Sequence, residues 1–197
     1  MTVRTARLLL AFGAFVAGLV LFSAVIFIVT GRAPVPIAAS AVGGPFKLVD
    51  QNNKPITEQD FKGEPFLVFF GFTHCPDVCP TTLFEVSEVF RALGPEAKNV
   101  RAMFVTVDPE RDTPAVLKDY LASFDPRIVG ATGDVDAIAA AEKSYRVYAK
   151  KVPTDGGGYT MDHTAIVYLM NKDGRFVAPF NMKRRPEEAA AELKRYL

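Results

Sequence analysis

Two cysteines and two histidines hold most of the chemistry this chain offers. Cys75 and Cys79 are its only cysteines, and they lie within Phe66 to Leu83, FLVFFGFTHCPDVCPTTL. The histidines are His74 and His163. Three residues separate the two thiols, and on a helical turn that spacing sets Cβ atoms ~5–6 Å apart. Such a pair suits a disulfide after slight adjustment, and suits two thiolates on one metal ion equally well. Two thiolates and one imidazole make a three-donor set of soft and intermediate ligands. Structural zinc usually takes four ligands. The set therefore suits three-coordinate Cu(I), with room for Cu(II) and an added ligand.

The surrounding sequence shows how the thiols are carried. Phe66, Leu67, Val68, Phe69 and Phe70 form an apolar run bounded by turn signals, which predicts a buried strand. Pro80 fits the first position of a helix, where its missing N–H costs nothing. Leu83, Val86, Val89, Phe90 and Leu93 then recur at the spacing of one helix face. The thiols thus stand at a strand-to-helix turn, where unpaired N–H groups and the helix dipole stabilise a nearby thiolate. A merely structural cysteine pair is the plainer alternative.

The other elements follow from pattern. Phe46–Val49 alternates weakly as a strand before a turn at 50–53, and Pro55 to Lys62 leads into Gly63. Val100–Val107 predicts a second strong strand, ending in the loop Asp108-Pro109-Glu110-Arg111-Asp112. Thr113 is a good N-cap with Pro114 at the first helical position. Leu117, Tyr120, Leu121 and Phe124 make that helix's face. Another helix is expected from Asp134 to about Tyr148, then a loop at 150–162 with three consecutive glycines. His163–Met170 reads as a strand, Asn171–Gly174 as a hairpin turn and Arg175–Phe180 as the return. Pro186, Glu187 and Glu188 open a last helix closed by Lys194 and Arg195. Strands alternating with helices imply an α/β sheet with parallel pairing.

The chain has 197 residues and a net charge of +1. No basic patch is interleaved with aromatics, so nucleic-acid binding has no support. Residues 8–30 contain no charge, and such a run is about as long as the ~20 residues that cross a bilayer core. A cleaved signal peptide is the alternative, although its apolar region is usually only ~7–15 residues. Arg4 and Arg7 precede the span and no acidic residue does, which keeps the N-terminus in the cytoplasm and exports the rest. The expected organisation is a cytoplasmic end at 1–7, a transmembrane helix at 8–30, a Pro/Gly/Ala-rich tether at 31–44 and one exported domain at 45–197. The short leader argues for a bacterial inner membrane with the domain in the periplasm. That side is oxidising, so thiols needed free require a reducing partner.

The segments GFTHCPDVCPTTL, VTVDPERDTP and DHTAIVYL, in this order, resemble the Sco/SenC family of copper-binding cytochrome c oxidase assembly proteins. The resemblance spans about Pro45 to Leu197. It implies a thioredoxin-like fold, in which the residue opening the third core strand faces the active-site turn. His163 stands where thioredoxins place a cis-proline. Carried over residue by residue, Cys75, Cys79 and His163 become ligands for Cu(I) and Cu(II). The implied role is a copper metallochaperone for the dinuclear copper centre of the oxidase. Its partners would be the oxidase's copper-bearing subunit, a copper donor and a periplasmic thiol reductant.

The alternative is a thiol–disulfide reductase acting on the cysteines of that oxidase site through a redox-active Cys75–Cys79 disulfide. A peroxide-reducing or redox-signalling protein on the same scaffold is a third. The three-residue spacing and His163 favour copper, hence a transfer protein rather than an enzyme. His74 is expected to point away from Cys75, since side chains alternate at a strand end. Asp77 and Asp108 could tune the site, contact a partner or simply form turns. Met161 is a soft donor beside His163, while Met103 and Met170 sit in strand patterns as core.

Overall fold

The computed structural model describes residues 3–30 and 42–197, with side chains described for 12–25 and 42–197. The chain divides into two compact units, Met1–Ala39 and Ser40–Leu197. The first carries helix α1, Val3–Thr30. Among the described residues, no helix is long and apolar enough to cross a membrane. Side chains of α1 are described only for 12–25, fewer than the ~20 positions a crossing takes. The tether expected at 31–44 lies outside the described residues as far as position 41, as do Met1 and Thr2 of the expected cytoplasmic end.

The second unit is built on β3, Phe66–Gly71, buried at every position. A strand covered on both faces reads as an unbroken apolar run. It pairs in parallel with β4, Arg101–Thr106, and antiparallel with β8, Val167–Met170. Outward from β4 lie β5 (Ile128–Thr132), β1 (Lys47–Asp50) and β2 (Pro55–Thr57); β9 (Phe176–Pro179) flanks β8. Helices α2 (Val78–Leu93), α3 (Pro114–Leu121), α4 (Val135–Tyr145) and α5 (Pro186–Leu193) pack around the sheet. Alternation along β3 sends its side chains to both faces. Phe70 meets Tyr145 of α4 with ring centroids 5.4 Å apart, whereas Gly71 lies beneath Cys79 of α2.

Several elements differ from their sequence expectation. Strand β5 was not anticipated, because Gly130 interrupts it. A Cβ there would stand 2.6 Å from Leu121 Cδ1, so glycine lets α3 approach the sheet. Helix α2 begins two residues before Pro80, which sits in the first turn, where no intrahelical acceptor is lost. Thr113 does cap α3, its hydroxyl accepting from the Val116 N–H at 3.3 Å. Helix α4 stops at Tyr145 because Arg146 takes a left-handed φ of 58°.

The expected glycine loop is instead a hairpin, β6 (Ala149–Pro153) paired with β7 (Tyr159–His163) in a separate two-stranded sheet. His163 therefore closes β7 rather than opening a core strand, which begins at Val167. The pairing of Ala149 with His163 commits the segment to the hairpin. A bond from the Thr164 N–H to the Tyr148 carbonyl, 2.9 Å, and one from the Tyr148 N–H to Thr164 Oγ1, 3.1 Å, extend it.

Beneath this hairpin Glu142 of α4 lines a cavity of about 190 Å³ with Ile138, Ala149, Lys150 and Met161. Burial pushes its carboxyl up to about 7. A group whose folded value exceeds its unfolded one favours folding while protonated, and that contribution fades as pH rises through this window. Glu142→Gln should therefore stabilise the domain against denaturant at pH 8 and change little at pH 4. Equal effects at both values, measured by urea unfolding, would contradict this.

Candidate metal centre

The parallel strands β3 and β4 end at the same edge, and the chemistry collects there, outside the carboxyl ends of the strands. The chain leaves β3 through Phe72, Thr73 and His74, places Cys75 in the turn and carries Cys79 in the first turn of α2. Cys79 is fully buried and Cys75 half-buried, and both are free thiols. The Cys79 N–H donates to Cys75 Sγ at 3.4 Å, so the half-buried sulfur takes up one of the helix's unpaired donors.

His163 arrives from the end of β7, its Nε2 lying 3.9 Å from Cys79 Sγ. Its Nδ1 is 3.1 Å from the Thr164 carbonyl, which can only accept. Nδ1 is therefore the donor in that contact, and in the neutral ring Nε2 then presents its lone pair to the thiols. The Phe72 ring meets the imidazole edge-on, with centroids 5.8 Å apart at 88°.

The other expected residues fall differently. His74 is exposed, its Nδ1 3.1 Å from Thr73 Oγ1. Asp77 is the exposed N-cap residue of α2, without a side-chain capping bond. Asp108 is fully buried, away from solvent. Met161 shares the inward face of β7 with His163 but packs against the core and lines the cavity at Glu142. Met103 and Met170 are buried core residues, as expected.

One expectation about the thiols is reversed. The helix start was expected to favour the thiolate, yet burial pushes the Cys79 thiol well above its ordinary range. A backbone bond from Phe72 opposes the rise, while Cys75 and the charge of Asp112 add to it. Burial thus disfavours the Cys79 thiolate in the metal-free protein, and a metal that binds this sulfur must displace its proton.

Five residues central to this arrangement, Thr73, Thr106, Arg111, Asp112 and Tyr159, were not singled out as site residues from sequence. The Asp112 carboxylate accepts from the Thr73 hydroxyl at 2.6 Å, the Thr73 N–H at 3.0 Å and the Thr106 hydroxyl at 2.6 Å. It thereby holds the turn two residues before Cys75. Arg111 and Tyr159 join Asp108 to the hairpin. An acid in a Pro-containing loop looks solvated in sequence, and only the tertiary donors identify it as buried.

A pair of donors ~2.3 and ~2.0 Å from one ion stands no more than ~4.3 Å apart. The 3.9 Å between Cys79 Sγ and His163 Nε2 satisfies that limit. Among the described residues, no group of three His, Cys, Asp or Glu side chains is already closed around one point. The donors are gathered, and a metal would draw them together.

A mixed α/β sheet with two thiols and an imidazole at its carboxyl edge defines a thioredoxin-like protein with a cysteine–histidine centre. The SCO1/SenC family profile matches residues 35–197, and the chain belongs to that family. It is 66% identical to copper-bound ScoI of Bradyrhizobium japonicum, with a TM-score of 0.77 covering 79% of this chain and 99% of that one. BsSco, described as having a disulfide switch and as a member of the Sco family of cytochrome c oxidase assembly proteins, is 26% identical. Its TM-score is 0.61, over 78% of this chain and 91% of that one. The mouse mitochondrial SCO2 homolog is 40% identical over 162 residues, 80% of this chain. The chain spans 64% of that relative's length.

Gly71 gives a direct test of the packing that seats Cys79. A Cβ there would meet the Phe104 ring at 2.6 Å and Cys79 Sγ at 2.8 Å. Gly71→Ala should destabilise the domain by about 1–3 kcal/mol and shift the Cys79 Cβ resonance. Wild-type stability with an unmoved resonance would contradict this placement.

Proposed function

We propose that this protein is a membrane-anchored copper metallochaperone, binding copper as cargo through Cys75, Cys79 and His163. The observation that carries the reading is the bare His163 Nε2 aimed at the buried Cys79 sulfur, 3.9 Å away. Two soft thiolates suit Cu(I), and the imidazole adds the nitrogen donor that Cu(II) prefers. The 66% identity to a copper-bound Sco protein supports the same reading.

Beside the thiols lies a groove of about 480 Å³ lined by Val78, Ile166, Phe180 and Met182, among others. Val78 and Ile166 are exposed apolar side chains on its rim. This surface suits a partner that must approach the metal closely. The partner of choice is the copper-bearing subunit of cytochrome c oxidase, by analogy with the assembly role named for BsSco. The uncharged stretch 8–30, helical here and preceded by Arg4 and Arg7, supports a single-pass anchor with the domain in the bacterial periplasm.

A second reading, a thiol–disulfide reductase, rests on the unequal exposure of the thiols. Half-buried Cys75 is placed to attack a partner disulfide and buried Cys79 to resolve the mixed intermediate. One side chain separates the two readings. Copper coordination uses His163, whereas electrons pass between sulfurs without it.

His163→Ala should weaken Cu(II) binding by more than the roughly 10–100-fold that loss of an outer-shell partner costs, while leaving Cu(I) on two thiolates and the thiols able to exchange. Oxidation of Cys75 and Cys79 to a disulfide should abolish Cu(I) binding, since both sulfurs must be thiolates. Copper counted per chain, with competitive titration in each oxidation state, measures both. Stoichiometric Cu(I) on the oxidised domain would rule out the cysteine pair as ligands, and normal oxidase assembly by His163→Ala at low copper would favour the reductase.

A further inference from the structure

The strand that delivers His163 belongs to a two-stranded sheet with no ladder to the main sheet, and an isolated hairpin is at best marginally stable in water. Something else must fix it. Tyr159, Met161 and His163 share one face of β7, and all three are half-buried against the body of the domain. At the far end of that face, the Tyr159 hydroxyl donates to Asp108 Oδ1 at 2.8 Å. Arg111 donates through Nε to Asp108 Oδ2 and through Nη1 to the Tyr159 carbonyl at 3.0 Å. Its guanidinium lies over the Tyr159 ring, 3.8 Å from the centroid, and 6.0 Å from that of Phe72. Phe72 is the ring that abuts the His163 imidazole. On the outer side, Lys151 pairs with Glu110 at 2.5 Å and stands 4.8 Å over Tyr159.

We propose that Arg111 and Tyr159 are positioning residues for the metal site, clasping the hairpin to the Asp108 loop so that His163 Nε2 is held towards the thiols. This rests on the copper reading of the site. Neither side chain touches the donors. Both act through the strand they pin, and Arg111 acts also through Phe72. The clasp bears chiefly on the nitrogen donor, because its hydrogen bonds go to the hairpin, whereas the thiols are seated by α2 and by the bonds of Asp112 to Thr73. Losing it should therefore impair Cu(II), which depends on the imidazole, and spare Cu(I) on its two sulfurs.

The test uses Tyr159→Phe, which removes only the hydroxyl, and Arg111→Lys, which keeps the charge but loses the planar fork and the stack. Cu(II) affinity should fall roughly tenfold or more in each, with Cu(I) affinity within about threefold of wild type. Adding Tyr159→Phe to His163→Ala should change Cu(II) affinity no further, since the imidazole it positions is gone. In the metal-free protein, the His163 ring nitrogen signals should show a single Nδ1–H tautomer in wild type and averaging of the two tautomers in both variants. Unchanged Cu(II) affinity, equal losses of Cu(I) and Cu(II), or full additivity with His163→Ala would each overturn the proposal. Unchanged His163 signals would do the same. If wild type itself binds no copper, the copper reading falls, and the tautomer measurement alone decides whether the clasp sets the imidazole.

Discussion

Everything at the thiol–imidazole site depends on the five-residue loop Asp108–Asp112 and on the two carboxylates it buries. Both Asp108 and Asp112 are fully buried, which would be costly for unpaired charges. Each is met by donors from a different part of the site. Asp112 collects Thr73, ahead of Cys75, and Thr106 at the end of β4. Asp108 collects Tyr159 of the hairpin and Arg111 of the loop itself. The loop also keeps its own shape, with the Asp108 N–H on Thr106 Oγ1 at 2.9 Å and the Asp112 N–H on the Asp108 carbonyl at 2.9 Å. One short segment thus references the cysteine turn and the histidine strand to the same strand end. Removing either carboxylate would strand its own donors in a dry site, Thr73 and Thr106 for Asp112, Tyr159 and Arg111 for Asp108.

The sheet makes that economy available. Parallel pairing puts Gly71 opposite Thr106, so the turn after β3 and the loop after β4 leave the sheet side by side. Aromatic packing below them, with Phe69 and Phe104 centroids 5.9 Å apart, gives the edge a rigid floor. Cys79 sits on this floor without contact with water. The same burial that disfavours its ionisation means that a metal must displace a proton to take this sulfur. Half-buried Cys75 remains the point of entry.

The residues that matter chemically were legible in sequence to different degrees. Cys75, Cys79 and His163 announce themselves by type and scarcity, β3 by its unbroken apolar run and β4 by the apolar stretch Ala102–Val105. The Thr113–Pro114 helix start was equally plain, because capping chemistry is local. The route by which His163 reaches the thiols was not. Strands β6 and β7 are short, carry Lys150 and Lys151, and flank three consecutive glycines, so pattern alone predicts a loop. Their pairing is enforced by Tyr159 and Met161 docking on the body of the domain, a tertiary effect. Strand β5 was hidden by Gly130, whose purpose is close approach of α3 and not a turn. The chemistry of Cys79 was misjudged for the same reason. A helix start can be read from sequence, but the full burial of the sulfur in its first turn cannot.

The central claim is that one nitrogen and two sulfurs converge on a single copper ion. X-ray absorption at the copper edge of the dithiol protein loaded with Cu(II) measures this most directly. The account predicts a shell of two sulfur donors and one imidazole nitrogen, with the nitrogen lost in His163→Ala and a sulfur lost in Cys79→Ser. A shell of sulfur alone in the wild-type protein, or one unchanged by either substitution, would contradict it.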